Sequence, residues 1–230
     1  MHAFPSFIPD QTMNQIERRW PTDEGPHGTQ APMGWSCERL GDGGVLLIGH
    51  SRFGDERGVF AETYNASRLA GFGVTEPFVQ DNFSRSTVRG VVRGLHFQRP
   101  PFAQAKLVRV VRGSVFEVVV DIRKGSPGYG RAVWVELSGD DALAVYVPVG
   151  FAHGFAVLEA DTEVAYKVSA AYDRASEGGL HWDDPALAIA WPIGSSEAVL
   201  KAGDRAWPLL SDLDSPFVYG SGGRQGEERR

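Results

Sequence analysis

An all-β sandwich or jelly-roll barrel is the fold this sequence predicts, on three observations. Short runs rich in Val, Ile, Phe and Tyr recur at regular intervals along its middle. Gly, Pro, Asp or Ser punctuates the gaps between them. Before residue 170 the one convincing helical stretch is brief, from Ala66 to Ala70.

Taken in order, the predicted strands are Val45 to Ile48, Val59 to Tyr64, Phe78 to Phe83, Val91 to Gln98 and Lys106 to Val111, followed by Val115 to Ile122, Ala132 to Leu137, Ala142 to Val147, Phe155 to Leu158 and Thr162 to Val168. Each has the length and β-branched content of a strand in an antiparallel sheet. Arg112-Gly113-Ser114 reads as a hairpin turn between two of them. Helical signals after Trp191 are weak. Residues 1 to 40 are rich in Pro, Gly, Thr and Gln without hydrophobic period and read as a mobile extension. Residues 41–219 form the expected folded domain, and 220–230, with four glycines and two glutamates among basic residues, read as a flexible tail.

The bulk numbers narrow the function classes. A chain of 230 residues with 42% apolar and 11% aromatic content can bury one real core as a single domain. A formal charge of -6 argues against general nucleic-acid binding, which needs a basic footprint, but leaves room for a local basic pocket. The single cysteine, Cys37, permits no internal disulfide. No run approaches the roughly 18 apolar residues of a membrane helix, and the N-terminus lacks the basic-then-apolar order of a secretory signal. The expectation is a soluble cytoplasmic protein.

Barrels of this kind hold ligands in the mouth, among inward-facing residues of alternate strands. Val-Val-Arg-Gly-Leu-His-Phe-Gln, residues 91–98, places His96 at a strand end three residues after Arg93, and Gln104-Ala105-Lys106 brings a lysine nearby. Cations beside an imidazole suit an anionic substrate whose carbon must lose a proton. By strict alternation Arg93 and His96 face opposite ways, so both can reach one cavity only if a bulge at Gly94 re-aims one of them.

His96 has three readings. It can be a satisfied interior side chain, as can His153. It can be a metal ligand, although no second imidazole follows at Phe97 or Gln98 and no third ligand is evident. Or it can be an acid–base group held by a carboxylate, with an acid on the far side of the substrate. Asp121, Asp161, Asp183, Asp184, Asp212 and Asp214 are candidate carboxylates, and Tyr146 and Tyr166 candidate phenols. Composition does not choose among them.

From about Phe53 to Asp214 the chain resembles the dTDP-4-dehydrorhamnose 3,5-epimerase family, whose members are cupin-like jelly rolls. The resemblance is carried by Asp-Glu-Arg-Gly-Val-Phe-Ala-Glu-Thr-Tyr at 55–64, Val-Gln-Asp-Asn-Phe-Ser at 79–84 and Arg-Gly-Leu-His-Phe-Gln at 93–98. It continues through Gln-Ala-Lys at 104–106, Val-Val-Asp-Ile-Arg at 119–123, Pro-Val-Gly-Phe-Ala-His-Gly-Phe at 148–155, Tyr166-Lys167, Trp191-Pro192 and Leu-Ser-Asp-Leu-Asp at 210–214.

The resemblance implies an isomerase that inverts C3, C5 or both of a dTDP-4-keto-6-deoxyhexose in deoxysugar biosynthesis, with no cofactor or metal. It puts the general base on His96, the aspartate that orients it on Asp214 and the acid of the opposite sugar face on Tyr166. Arg93 and Lys106 match cations near the diphosphate and the sugar 4-oxygen. Gln80, Asn82 and His153 match pocket positions. Arg57, Phe60 and Glu62 match residues lent by a neighbouring subunit, which implies a homodimer with exchanged N-terminal strands. The chemistry is coherent: a carbon beside a ketone is acidic because its anion delocalises onto oxygen, so a base is needed on one face and positive charge at that oxygen. An imidazole at its ordinary pKa of about 6.5 is mostly neutral near pH 7, and a phenol at about 10 keeps its proton. Two other readings remain: a metal-dependent cupin isomerase or oxygenase, and a non-catalytic sugar-nucleotide binding module.

Overall fold

The computed structural model describes residues 34–220; the expected extension as far as residue 33 and the tail beyond residue 220 lie outside the described residues. Two antiparallel sheets face each other. The first runs β1 (Ser36–Leu40), β2 (Val45–Gly49), β10 (Leu143–Val147), β7 (Lys106–Arg112), β12 (Thr162–Val168) and β5 (Gln80–Ser86) in spatial order. The second runs β13 (Glu177–Gly179), β6 (Val92–Gln98), β11 (Phe151–Val157), β8 (Ser114–Asp121) and β9 (Ala132–Ser138). A separate hairpin joins β3 (Arg52–Asp55) to β4 (Gly58–Ala61). This is the expected jelly roll with few, short helices, and among the described residues no helix is long and apolar enough to cross a membrane.

Alternation along each strand builds the layers. Val45, Leu47, Val108, Val110, Val145 and Val147 of the first sheet meet Val115, Val119, Phe155 and Val157 of the second in the space between them. The opposite parity of the second sheet, with Val92, Leu95, Phe97, Val118 and Val120, packs on Leu187, Ile193, Leu213 and Phe217 from the irregular C-terminal segment. Outside the first sheet, Leu46, Ile48, Leu107 and Tyr146 are covered by α1 (Ala66–Gly71) through Leu69. A six-residue helix is not stable alone. Asn65 caps it by accepting from the Arg68 backbone N–H at 3.2 Å, and burial of Leu69 contributes on the order of 1.5–3 kcal/mol.

Besides the unexpected short strands β3 and β13, three details depart from the sequence reading. Strand β1 lies on the N-terminal side of the expected boundary at residue 40 and pairs along its whole length with β2. The strand expected from Val59 to Tyr64 is the short β4, because its chain turns at Asn65 into α1. Arg112-Gly113-Ser114 is no hairpin but a corner: β7 stays in the first sheet while β8 enters the second. Gly113 makes that corner with φ +74, and a Cβ there would come within 2.3 Å of Thr162 Oγ1.

One detail positions the site. Strand β6 pairs His96 with His153 and Arg93 with Phe155, so β6 spends three residues where β11 spends two. The extra residue is the bulge expected at Gly94, whose φ is +124 and whose missing Cβ would press on Gly154 Cα at 2.6 Å. Across it, Arg93 and His96 come to share the face that looks into the sandwich.

Candidate active site

His96 lies at the open end of the sandwich with 25% of its side chain exposed. Its Nε2–H donates to Asp204 Oδ1 at 2.8 Å, and the other Asp204 oxygen accepts from the Gly94 backbone N–H at 3.4 Å. Asp204 sits on α2 (Ala202–Arg205), a single turn folded against β6, with its side chain only 2% exposed. Burial works to raise this carboxyl. The hydrogen bond from His96 and the Lys201 ammonium, 3.4 Å from Oδ1, more than offset it and hold it below the usual carboxylate range. An ionised Asp204 keeps the proton on Nε2 and leaves Nδ1 as the basic nitrogen.

Under His96 lies a buried charged group. Lys106 projects inward from β7 and donates from Nζ to the His96 carbonyl at 3.2 Å. Burial pulls its pKa down to about 8, while Glu117 and Glu177 act in the other direction. His153 donates from Nε2 to Glu117 Oε1, and both side chains are almost wholly buried. Burial pushes His153 below its ordinary value, Glu117 opposes that, and Lys106 and His96 add to it.

The facing sheet supplies Tyr166 on the inward side of β12, paired across the ladder with Asn82 of β5. Burial pushes the phenol above its ordinary value against the pull of Arg93 and Lys201, so it holds its proton at neutral pH. Arg93 reaches Ser86 Oγ at 3.4 Å at the mouth. Gln80 donates to Asn82 Oδ1 at 2.8 Å and accepts from the Tyr172 backbone N–H at 3.0 Å, fixing the loop after β12. Gln98, on the His96 side of β6, is spent on that same loop at Ala171 and Asp173 and on the Phe102 carbonyl of the turn between β6 and β7.

The structure thus gathers His96, Tyr166, Arg93, Lys106, His153, Gln80 and Asn82 at one end of the sandwich. It does not bring Asp214 there. Asp214 is 89% exposed and pairs with Lys124 at 2.7 Å, because the Leu210–Asp212 turn carries it around the outside of the second sheet. Asp204, ten residues earlier, takes the place expected of it. Arg57, Phe60 and Glu62 also stand away from His96. Arg57 pairs with Asp55 on the exposed β3–β4 hairpin, Phe60 is 68% exposed, and Glu62 holds Arg68 at 2.9 Å and Asn65 at 2.9 Å. Sequence reasoning passed over Glu117, Glu177 and Lys201, which now carry the charge balance around Lys106 and Asp204. Only Glu117 left a signal, as an acid in the middle of an apolar strand at the same parity as Val119, the residue opposite His153. Among the described residues no three His, Cys, Asp or Glu side chains are grouped as a metal site would group them.

A family model described as dTDP-4-dehydrorhamnose 3,5-epimerase matches residues 43–212. A dTDP-4-dehydrorhamnose 3,5-epimerase of Sinorhizobium fredii is 47% identical over 175 residues, 76% of this chain and 89% of that protein. A dTDP-4-dehydrorhamnose 3-epimerase of Streptomyces niveus is 45% identical over 176 residues, 76% of this chain and 79% of that protein. Among solved structures, the dTDP-6-deoxy-D-glucose-3,5-epimerase of Legionella pneumophila in complex with dTDP-4-keto-L-rhamnose superposes with a TM-score of 0.75 at 44% identity, covering 79% of this chain and 95% of that one.

Proposed function

The chain belongs to the dTDP-4-dehydrorhamnose 3,5-epimerase family, and from that premise we propose that it epimerises a dTDP-linked 4-keto-6-deoxyhexose in deoxysugar biosynthesis. The observation that carries the reading is the His96–Asp204 pair beside one sheet and a protonated Tyr166 on the facing one, with the Lys106 ammonium buried against the His96 carbonyl.

In this reading His96 Nδ1 removes the proton from a carbon beside the C4 ketone. Asp204 fixes the ring and stabilises the imidazolium that forms. Negative charge moves to the C4 oxygen, where Lys106 meets it in surroundings of low dielectric. Tyr166 then delivers a proton to the opposite face of the carbon, and the centre inverts. Glu117 and the neutral His153 hold Lys106 in place from below. Arg93, at the mouth, suits a diphosphate oxygen, and Gln80 and Asn82 line the wall beside it. No cofactor or metal enters this sequence of proton transfers.

Arg57, Phe60 and Glu62 belong to the site of a second copy in this reading. Arg57 and Phe60 sit on the separate β3–β4 hairpin and Glu62 directly follows it, with Val59 and Phe60 each 68% exposed, a surface that exchange of strands in a homodimer would cover. Subunit mixing tests this: inactive His96→Ala and inactive Arg57→Ala homodimers, unfolded and refolded together, should recover about a quarter of wild-type activity through hybrids with one intact site. No recovery would refute the exchange. The single cysteine, which permits no internal disulfide, suits the reducing cytoplasm, which cell fractionation would check.

Turnover in deuterium oxide tests the reaction itself. Deuterium should enter the sugar at C3, at C5 or at both, and its positions name the subtype. Product or recovered substrate with deuterium at neither carbon would overturn the proposal.

A further inference from the structure

Strand β13 is the edge neighbour of β6, with Gly178 opposite Phe97 and Gly179 opposite His96. Both glycines are pressed by aromatic rings. A Cβ on Gly178 would come within 2.6 Å of the Phe97 ring, and one on Gly179 within 2.4 Å of the Trp207 indole. Residues paired across a ladder project to the same side of the sheet. The indole of Trp207 therefore occupies the space a side chain at 179 would fill, directly beside His96. It meets the imidazole edge-on, with ring centroids 6.3 Å apart and an interplanar angle of 75°.

Trp207 follows Asp204 by three residues, just past the end of α2, so one short segment delivers a carboxylate to His96 Nε2 and an aromatic wall to its flank. The indole Nε1–H is buried without an acceptor among the described residues. An unpaired buried donor is unfavourable, and a phenyl or leucyl group would fill space without it. Stability of the packing alone does not account for a tryptophan here.

We propose that Trp207 is a positioning residue for His96: its indole fixes the plane of the imidazole and keeps water from the His96–Asp204 hydrogen bond. This rests on the reading of His96 as the base. Gly179 is part of the same device, because only a residue without Cβ admits the indole.

The test uses the full-length protein with four variants, W207A, W207F, G179A and the W207A/G179A double. Two quantities are read: steady-state epimerisation, and the downfield proton NMR signal of the His96 Nε2–H. W207A is expected to lower kcat on the order of 10- to 100-fold, as loss of alignment at a reacting group does, with KM within about 2-fold. Its imidazole N–H signal should broaden by exchange with water. W207F should restore most of both. G179A should mimic W207A, since Gly179 has no left-handed φ and the three atoms nearest its Cβ all belong to the indole. In the W207A background G179A should cost little more, because the two act through one contact.

The proposal is overturned if W207A turns over within 2-fold of wild type, if its whole loss lies in KM, if its N–H signal stays as sharp as wild type, or if G179A and W207A effects simply add. Should W207A fail to fold, W207F and G179A still decide. Failure of the underlying reading looks different: His96→Ala would then still exchange solvent deuterium into the sugar. A dead His96→Ala beside an unimpaired W207A would remove Trp207 alone.

Discussion

Asp204 Oδ1 accepts from His96 Nε2 at 2.8 Å across 108 residues of sequence, in a carboxylate that is almost wholly buried. The first consequence is a contrast between two aspartates. Asp204→Asn would favour the wrong tautomer of His96, and kcat should fall by about 10²–10⁴-fold, the range of an acid–base contribution. Asp214→Asn removes only a solvent-screened surface pair with Lys124 and should leave kcat within about 2-fold. Steady-state kinetics of the two variants side by side checks this. Equal losses would return Asp214 to the site.

That contrast also marks how far the sequence could be read. The strands were legible because each carries β-branched runs between turn residues, and the bulge at Gly94 was legible because parity demanded it for Arg93 and His96 to share a cavity. Asp204 was not. It sits in a polar stretch, Lys201-Ala-Gly-Asp-Arg, with no helical period, and its burial comes from a one-turn helix docking on β6, a long-range event with no local signature. Leu-Ser-Asp-Leu-Asp at 210–214 was the more regular pattern and drew the assignment, yet Asp214 faces water. Strands β1, β3 and β13 escaped for a related reason: Ser36–Leu40, Arg52–Asp55 and Glu177–Gly179 are polar or glycine-rich, and only their neighbours make them strands.

Lys106 sets a pH limit. Burial lowers its pKa to about 8, with Glu117 and Glu177 resisting, so the ammonium is present below that pH and lost above it. The charge needed at the C4 oxygen is the protonated form. On the alkaline side kcat/KM, which reports groups of the free enzyme, should therefore fall with a midpoint near 8. Lys106→Met should give a low rate without this limb. A flat kcat/KM from pH 7 to pH 9.5 would contradict the role.

Glu117 is expected to matter for stability. It is 1% exposed and accepts a hydrogen bond from the neutral His153, and a hydrogen bond to a charged group contributes about 1.5–3 kcal/mol. Glu117→Ala should lose stability of that order in urea denaturation at pH 7, with an unchanged m-value. A change below about 0.5 kcal/mol would mean the pair carries no net stabilisation at this site.

The central claim is that base and acid stand on opposite faces of one carbon, His96 from the second sheet and Tyr166 from the first. It is tested most directly by incubating Tyr166→Phe with substrate in deuterium oxide and recovering the uninverted sugar. The account expects deuterium to enter at the carbon that His96 deprotonates, with its configuration retained, while inversion falls by about 10²-fold or more. Inversion at the wild-type rate, or loss of exchange and inversion together with nucleotide binding intact, would contradict it.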